Sequence, residues 1–207
     1  MATKTDFDTS VFINCPFDDD YKPLMWAIVF AILSCGFSPR SAMEENDAAA
    51  IRLDKIKSLI EDSRMGIHDI SRTELDKDSN LPRFNMPFEL GIDLGAREYG
   101  NRELQRKKVL IFDSEKHRFQ KFLSDIAGQD IFIHENSTSK VIAKVRSWLN
   151  NIQATGKPLL GAEKIEASFK LFYVELPNMC KDLALDHKQL DFKDFVYFAG
   201  AWIESTA

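Results

Sequence analysis

The chain has 207 residues, 44% apolar and 29% charged, with 27 Lys and Arg against 32 Asp and Glu for a formal net charge of -5. That is enough apolar material for a real core in one domain, or in one domain with an appendage. The acidic balance argues against a surface built mainly to hold a nucleic-acid backbone, although Arg102, Arg106, Lys107 and Lys108 form a local basic run and a small nucleotide stays an allowed ligand.

In chain order, Val11 to Phe17 reads as a strand, Tyr21 to Cys35 as a helix ending at Gly36, and Phe37 to Met43 as a second strand. Within that helix the apolar run Leu24 to Leu33 is only ten residues long. A bilayer span needs about 18 to 20, so the run predicts a helix buried in the core or in an interface, and no membrane partner. Ile51 to Ser63 places Leu53, Ile56, Leu59 and Ile60 on one helical stripe, and Met65 to Ile70 follows as the third strand. The polar stretch Arg72 to Arg83 predicts a loop across the mouth of a sheet.

The next helix is predicted from Asn85 to about Tyr99. Pro87 is tolerated only in a first turn, and Asn85 is a good N-cap. That start puts Glu89 in the opening turn, where the helix dipole favours an ionised carboxylate. Gly91 and Gly95 each cost about 1 kcal/mol relative to Ala in a helix, which predicts close backbone approach there. Val109 to Phe112 and Ile131 to Ile133 complete five strands. Phe119 to Ile126 and Lys140 to Ile152 supply further helices, the second with Val141, Ile142, Val145, Trp148 and Leu149 facing inward.

This alternation predicts an α/β fold over residues 1–153: a five-stranded parallel sheet, in flavodoxin-like order 2-1-3-4-5, with helices on both faces. Residues 154–207 form a C-terminal helical extension, with helical patterns over Ala162 to Asp186 and Phe192 to Ile203. It has little core of its own, so it should pack on the sheet domain or on a second copy in a homo-oligomer. Cys15, Cys35 and Cys180, and the scattered His68, His117, His134 and His187, have no metal-type spacing. Neither a zinc site nor a disulfide framework is expected, and no cofactor. The opening Met-Ala-Thr-Lys-Thr-Asp-Phe-Asp has no apolar signal region, which makes the cytoplasm the expected compartment.

In an open parallel sheet the ligand crevice lies beyond the carboxyl ends of the strands, where the strand order reverses. Here that point falls between the first and third strands, at Asn14 to Tyr21 and at His68 to Arg72. Asp69 and Glu89 would then share a pocket, as two carboxylates whose surroundings push their pKa values apart. His68, alternating with Asp69 along the strand, reads as a core histidine, and Asp18 to Asp20 as a solvated cap for the first helix.

The first-strand loop with Phe17 and Tyr21, the Asp ending the third strand, and Pro-Phe-Glu-Leu-Gly opening the next helix together resemble the nucleoside 2-deoxyribosyltransferase family and its relatives in the wider TIR-like fold group. The likeness covers roughly residues 10 to 113. It implies Glu89 as nucleophile on the anomeric carbon, Asp69 as acid/base or hydroxyl-binding carboxylate, and Phe17 and Tyr21 as a ring-stacking wall. Polar contacts would come from Asn14, Asp18, Ser71, Arg72, Asn85 and the neighbouring Met86. The long loop ending Leu81-Pro82-Arg83-Phe84 departs from the family pattern, as do His68 and Arg72. Those departures fit a phosphorylated or dinucleotide substrate paired by Arg72 or Arg83. The resemblance also implies NAD-like substrates and a role in bacterial defence or stress. Two other readings stand beside it: a catalytically silent nucleotide-binding or oligomerising module, and a phosphorylation receiver using Asp18 to Asp20, Asp69 and Ser114, which lacks the expected Lys after the fifth strand.

Overall fold

The computed structural model describes residues 7–44, 47, 49–73, 75, 80–82, 84–153 and 156–206. Five strands, β1 (Ser10–Asn14), β2 (Ser38–Ser41), β3 (Met65–Asp69), β4 (Lys108–Asp113) and β5 (Ile131–Ile133), pair in parallel in the predicted order 2-1-3-4-5. Six helices accompany them: α1 (Lys22–Ser34), α2 (Arg52–Glu61), α3 (Asn85–Tyr99), α4 (Thr138–Ile152), α5 (Ala162–Lys181) and α6 (Phe192–Thr206). Among the described residues no helix is long and apolar enough to cross a membrane.

Strand alternation sorts side chains between the two faces. Val11, Ile13, Met65, Ile67, Leu110 and Phe112 point into the larger core, which takes in α1, α4 and the two tail helices. On the other face Phe12 meets Ile56, Leu59 and Ile60 of α2, and Ile70 and Ile111 meet Leu90 of α3.

Every residue of α1 from Leu24 to Ile32 is buried. A helix apolar on all sides needs cover on all sides, and a sheet supplies only one. The tail supplies another: Trp26 stacks on Phe195 of α6 with ring centroids 4.0 Å apart, and Phe30 packs against Phe169 and Phe172 of α5 and Trp202 of α6. Trp202 Nε1 in turn donates to Glu175 Oε2 at 2.7 Å, tying α6 to α5. The extension thus folds onto the sheet domain of its own chain.

Several local expectations are corrected. Residues 119–126 do not form an α-helix but two short 3-10 turns, Arg118–Lys121 and Ser124–Ile126, which bring Phe119 and Ile126 onto the sheet. The basic run is not a patch: Lys107 is 1% exposed, and Arg106 Nη2 is paired with Asp8 at 2.5 Å. The helix α3 spans the predicted residues, but Asn85 is its first helical residue rather than its cap. Phe84 takes the cap position and no side chain caps the end. Pro87 still lies in the first turn, while Glu89 falls beyond it, one turn further from the positive end of the dipole.

The glycine expectation also changes address. At Gly91 and Gly95 an added Cβ would meet nothing within 4 Å, so nothing in this chain explains them. At Gly66 in β3 it would run into the Asp93 carboxylate and lie 2.9 Å from His68 Nε2. Gly66→Ala should therefore lower stability by about 3 kcal/mol, the scale for disrupting a buried ion pair. Gly91→Ala should raise it by up to about 1 kcal/mol through helix propensity. Thermal unfolding of the two variants tests this, and equal effects would refute the assignment.

Candidate functional site

A cavity of about 330 Å³ opens at the carboxyl ends of β1 and β3, lined by Cys15, Pro16, Phe17, Asp18, Arg52, Arg72, Asn85 and Met86. This is the predicted reversal point of the sheet, and five of the predicted residues meet there: Phe17, Asp18, Arg72, Asn85 and Met86. Larger hollows of about 460 and 590 Å³ lie along the β2 edge and beside the start of α1, bordered neither by Glu89 nor by a residue leaving β3.

The walls are held by charge and ring contacts. Arg72 Nη2 lies 3.0 Å from Asp18 Oδ1 and 4.0 Å from Asp20 Oδ2, which ties the segment after β3 to the loop after β1. The same Asp18 oxygen accepts the Tyr21 N–H at 3.0 Å, so the cap expected of the Asp18 to Asp20 run is made by its first member. Opposite, the Arg52 guanidinium sits 6.0 Å from the centre of the Phe17 ring. Arg52 at the start of α2 was not legible as a site residue, because nothing local distinguishes it from a solvated helix-end cation.

Glu89 lies just behind this wall. Its carboxyl is 4.0 Å from Arg52 Nη2, while the residue is only 4% exposed. Burial pushes its pKa up to about 7, with Arg52 pulling the other way. The expectation of an acid kept ionised by the helix dipole is thereby corrected. Desolvation outweighs a dipole effect worth less than about 1 kcal/mol, since each pKa unit corresponds to about 1.4 kcal/mol.

Beneath Glu89 runs a chain of buried polar groups. Asp93, one turn along α3, has Oδ2 at 2.8 Å from His68 Nε2 and Oδ1 at 3.1 Å from Lys107 Nζ, all three side chains being fully buried. Lys107 also donates to the carbonyls of Ile60, at 2.6 Å, and Ser63, so one ammonium closes the end of α2 and holds α3. Burial lowers the Lys107 pKa with Asp93 opposing; His68 and Lys107 together hold the Asp93 carboxyl below its usual value against desolvation. His68 Nδ1 lies 3.0 Å from Asn14 Nδ2, and Asn14 also donates to the Met86 carbonyl at 3.0 Å. The reading of His68 as a core histidine holds, and Asn14 is a buried link rather than a cavity wall.

Asp69 faces away from this chain. It accepts the Tyr21 hydroxyl at 2.5 Å and the Ser71 N–H at 2.8 Å, with His134 Nε2 at 3.1 Å, and is fully buried. Successive residues of a strand point to opposite faces, so His68 turns toward α3 and Asp69 toward the start of α1. The structure does not bring Asp69 and Glu89 together in the cavity; Tyr21, 2% exposed, and Ser71, 4% exposed, are likewise spent on Asp69. The Cys15 thiol lies between the two acids, its pKa raised by burial and then by Asp69, Glu89 and Asp18. Arg83 lies outside the described residues. Asp113, at the end of β4, is held by Arg118, which also donates to Thr73 and the Ile70 carbonyl and so fixes the start of the segment after β3. Among the described residues no group of three or more His, Cys, Asp or Glu converges on a point that could hold a metal ion.

The raised pKa of Glu89 has a thermodynamic sign. The folded protein holds this proton more tightly than the unfolded chain, so the associated stability is full below the ordinary value of 4.5 and is lost as pH rises through about 7. Relative to wild type, Glu89→Gln should gain melting temperature progressively across that interval. A difference that does not vary with pH would contradict the assignment.

Comparison with protein-family models gives no match to this chain, and no curated protein matches it.

Proposed function

We propose that the protein cleaves or transfers the N-glycosidic bond of a nucleoside, nucleotide or NAD-like substrate, with Glu89 as the attacking carboxylate. The observation that carries this reading is a buried carboxyl poised to titrate near pH 7 behind a cavity with aromatic and cationic walls. An ordinary surface Glu has no such environment, and shifted carboxyls of this kind cluster at functional sites. The resemblance of the Pro-Phe-Glu-Leu-Gly helix start to that of deoxyribosyltransferases supports the same assignment.

In this reading Phe17 and Met86 face the base, while Arg52 and Arg72 face phosphate or hydroxyl groups. Ionised Glu89 bonds to the anomeric carbon as the carbon–nitrogen bond breaks, and the base departs with that electron pair and takes up a proton. Water or a second base then displaces the carboxylate. Asp69, caged by Tyr21, Ser71 and His134, supports the corner that carries Tyr21 instead of reaching a substrate.

A second reading, a nucleotide-binding module without catalysis, draws on the near-complete burial of Glu89. A receiver role gains nothing from an Asp69 that is 0% exposed.

Release of free base from a panel of nucleosides, nucleotides and NAD, followed by chromatography, decides between them. Wild type should release base and Glu89→Gln should lose at least about a thousandfold in kcat, the range seen for loss of a catalytic nucleophile. Unchanged turnover in that variant rejects the proposal; no release, with a nucleotide raising Tm, favours the binding module. Because the ionised acid attacks, kcat/KM should rise with pH through about 7. Arg52→Ala should move that limb to higher pH, since Arg52 lowers the Glu89 pKa. A limb that stays in place removes Arg52 from the account.

A further inference from the structure

Met86, Glu89 and Asp93 are spaced three and four residues apart, which puts them on one face of α3, the face turned to the sheet. The two outer members of this trio are tied to the strands and the middle one is not. Asp93 is tied to His68 on β3, and the Met86 carbonyl is tied to Asn14 on β1. Both ties converge on one imidazole, because His68 Nδ1 meets Asn14 and His68 Nε2 meets Asp93.

We propose that His68 is a positioning residue for Glu89: it joins Asp93 and Asn14 into a single brace that fixes the inner face of α3 and holds the Glu89 carboxyl behind the cavity. This rests on the reading of Glu89 as the reacting carboxylate, though the brace itself does not depend on turnover.

The hydrogen-bond inventory fixes how the brace works. Asn14 Nδ2 is a donor, so His68 Nδ1 accepts and the ring proton sits on Nε2, directed at Asp93. The two protons of the Asn14 amide are thereby divided between His68 and the Met86 carbonyl, and Oδ1, buried, is left without a partner. Turning the amide over would set Oδ1 against the Met86 oxygen, so only one arrangement serves both ends. Gly66 leaves the space in which Asp93 reaches His68, and Lys107 balances the Asp93 charge from the far side. Every group in the line is buried, so no water substitutes for a lost contact without entering the face that keeps Glu89 dry.

The test uses the full-length protein with 13C-labelled glutamate, following the Glu89 carboxyl by NMR across pH, beside kcat and KM for base release. In His68→Gln, which keeps one polar contact but cannot make both, the Glu89 midpoint should fall from about 7 toward the ordinary 4.5. Its kcat should drop by roughly a hundredfold with KM changed far less, the size expected of a displaced reacting group. Asn14→Ser, a smaller change at the other end, should move both readouts in the same direction and decides the matter if His68→Gln does not fold. Circular dichroism confirms that the variants compared are folded. A Glu89 midpoint that stays near 7 in a folded variant overturns the proposal. If wild type releases no base yet the midpoint falls in the variants, the brace stands and the glycosidic reading is what fails.

Discussion

A lysine and an aspartate shut away from water on the α3 side of the sheet govern how this protein is put together. Lys107 and Asp93 are each at most 1% exposed, and the desolvation of either charge alone would be prohibitive, so each dictates where the other lies. From that pairing follow the end of α2, whose carbonyls Lys107 collects, the depth at which α3 sits, and the absence of a side chain at residue 66. Hydrophobic contacts on this face are modest, a few residues around Phe12 and Ile70, against the large aromatic core across the sheet. Apolar burial holds the two layers together, whereas the ionic pair specifies the register of α3 on the strands, as buried polar groups are known to do.

The cavity inherits its character from that arrangement. Glu89 is one turn from Asp93 and shares its face of the helix, so whatever fixes Asp93 against the sheet also carries Glu89 away from solvent. On the opposite face Asp69 is equally buried but has its lone pairs filled by Tyr21 and a backbone N–H, and it serves as a structural knot. Two acids near the mouth of one sheet thus have different fates, decided by which side of the strand each occupies and by how many donors reach it.

The strand order and five of the six helices were legible because they rest on period and punctuation: apolar runs of strand length, Gly36 after α1, and Pro87 within a first turn. The failures have physical causes. Residues 119–126 carry an apolar pattern at near-helical spacing, but 3-10 turns satisfy the same burial in a tighter path. Asp93 and Lys107 look like surface charges in the sequence; only their meeting across some fourteen positions of chain and a helix–strand turn reveals them as partners. A sharper signal was present in the spacing of Glu89 and Asp93, since two acids on the buried side of an amphipathic helix require an explanation. Arg52 was illegible for the opposite reason, as its importance comes only from the cavity it overhangs.

The helix α1 has a consequence during synthesis of the chain. It leaves the ribosome early with apolar side chains on every side, whereas the aromatic residues that cover Trp26 and Phe30 belong to α5 and α6, which are made last. Throughout that interval the nascent chain presents a hydrophobic rod that the sheet covers on one side alone, a surface of the kind that chaperones hold and that aggregates when unguarded. The C-terminal extension therefore acts as a closing latch on biogenesis, and a chain cut short after α4 leaves this rod uncovered.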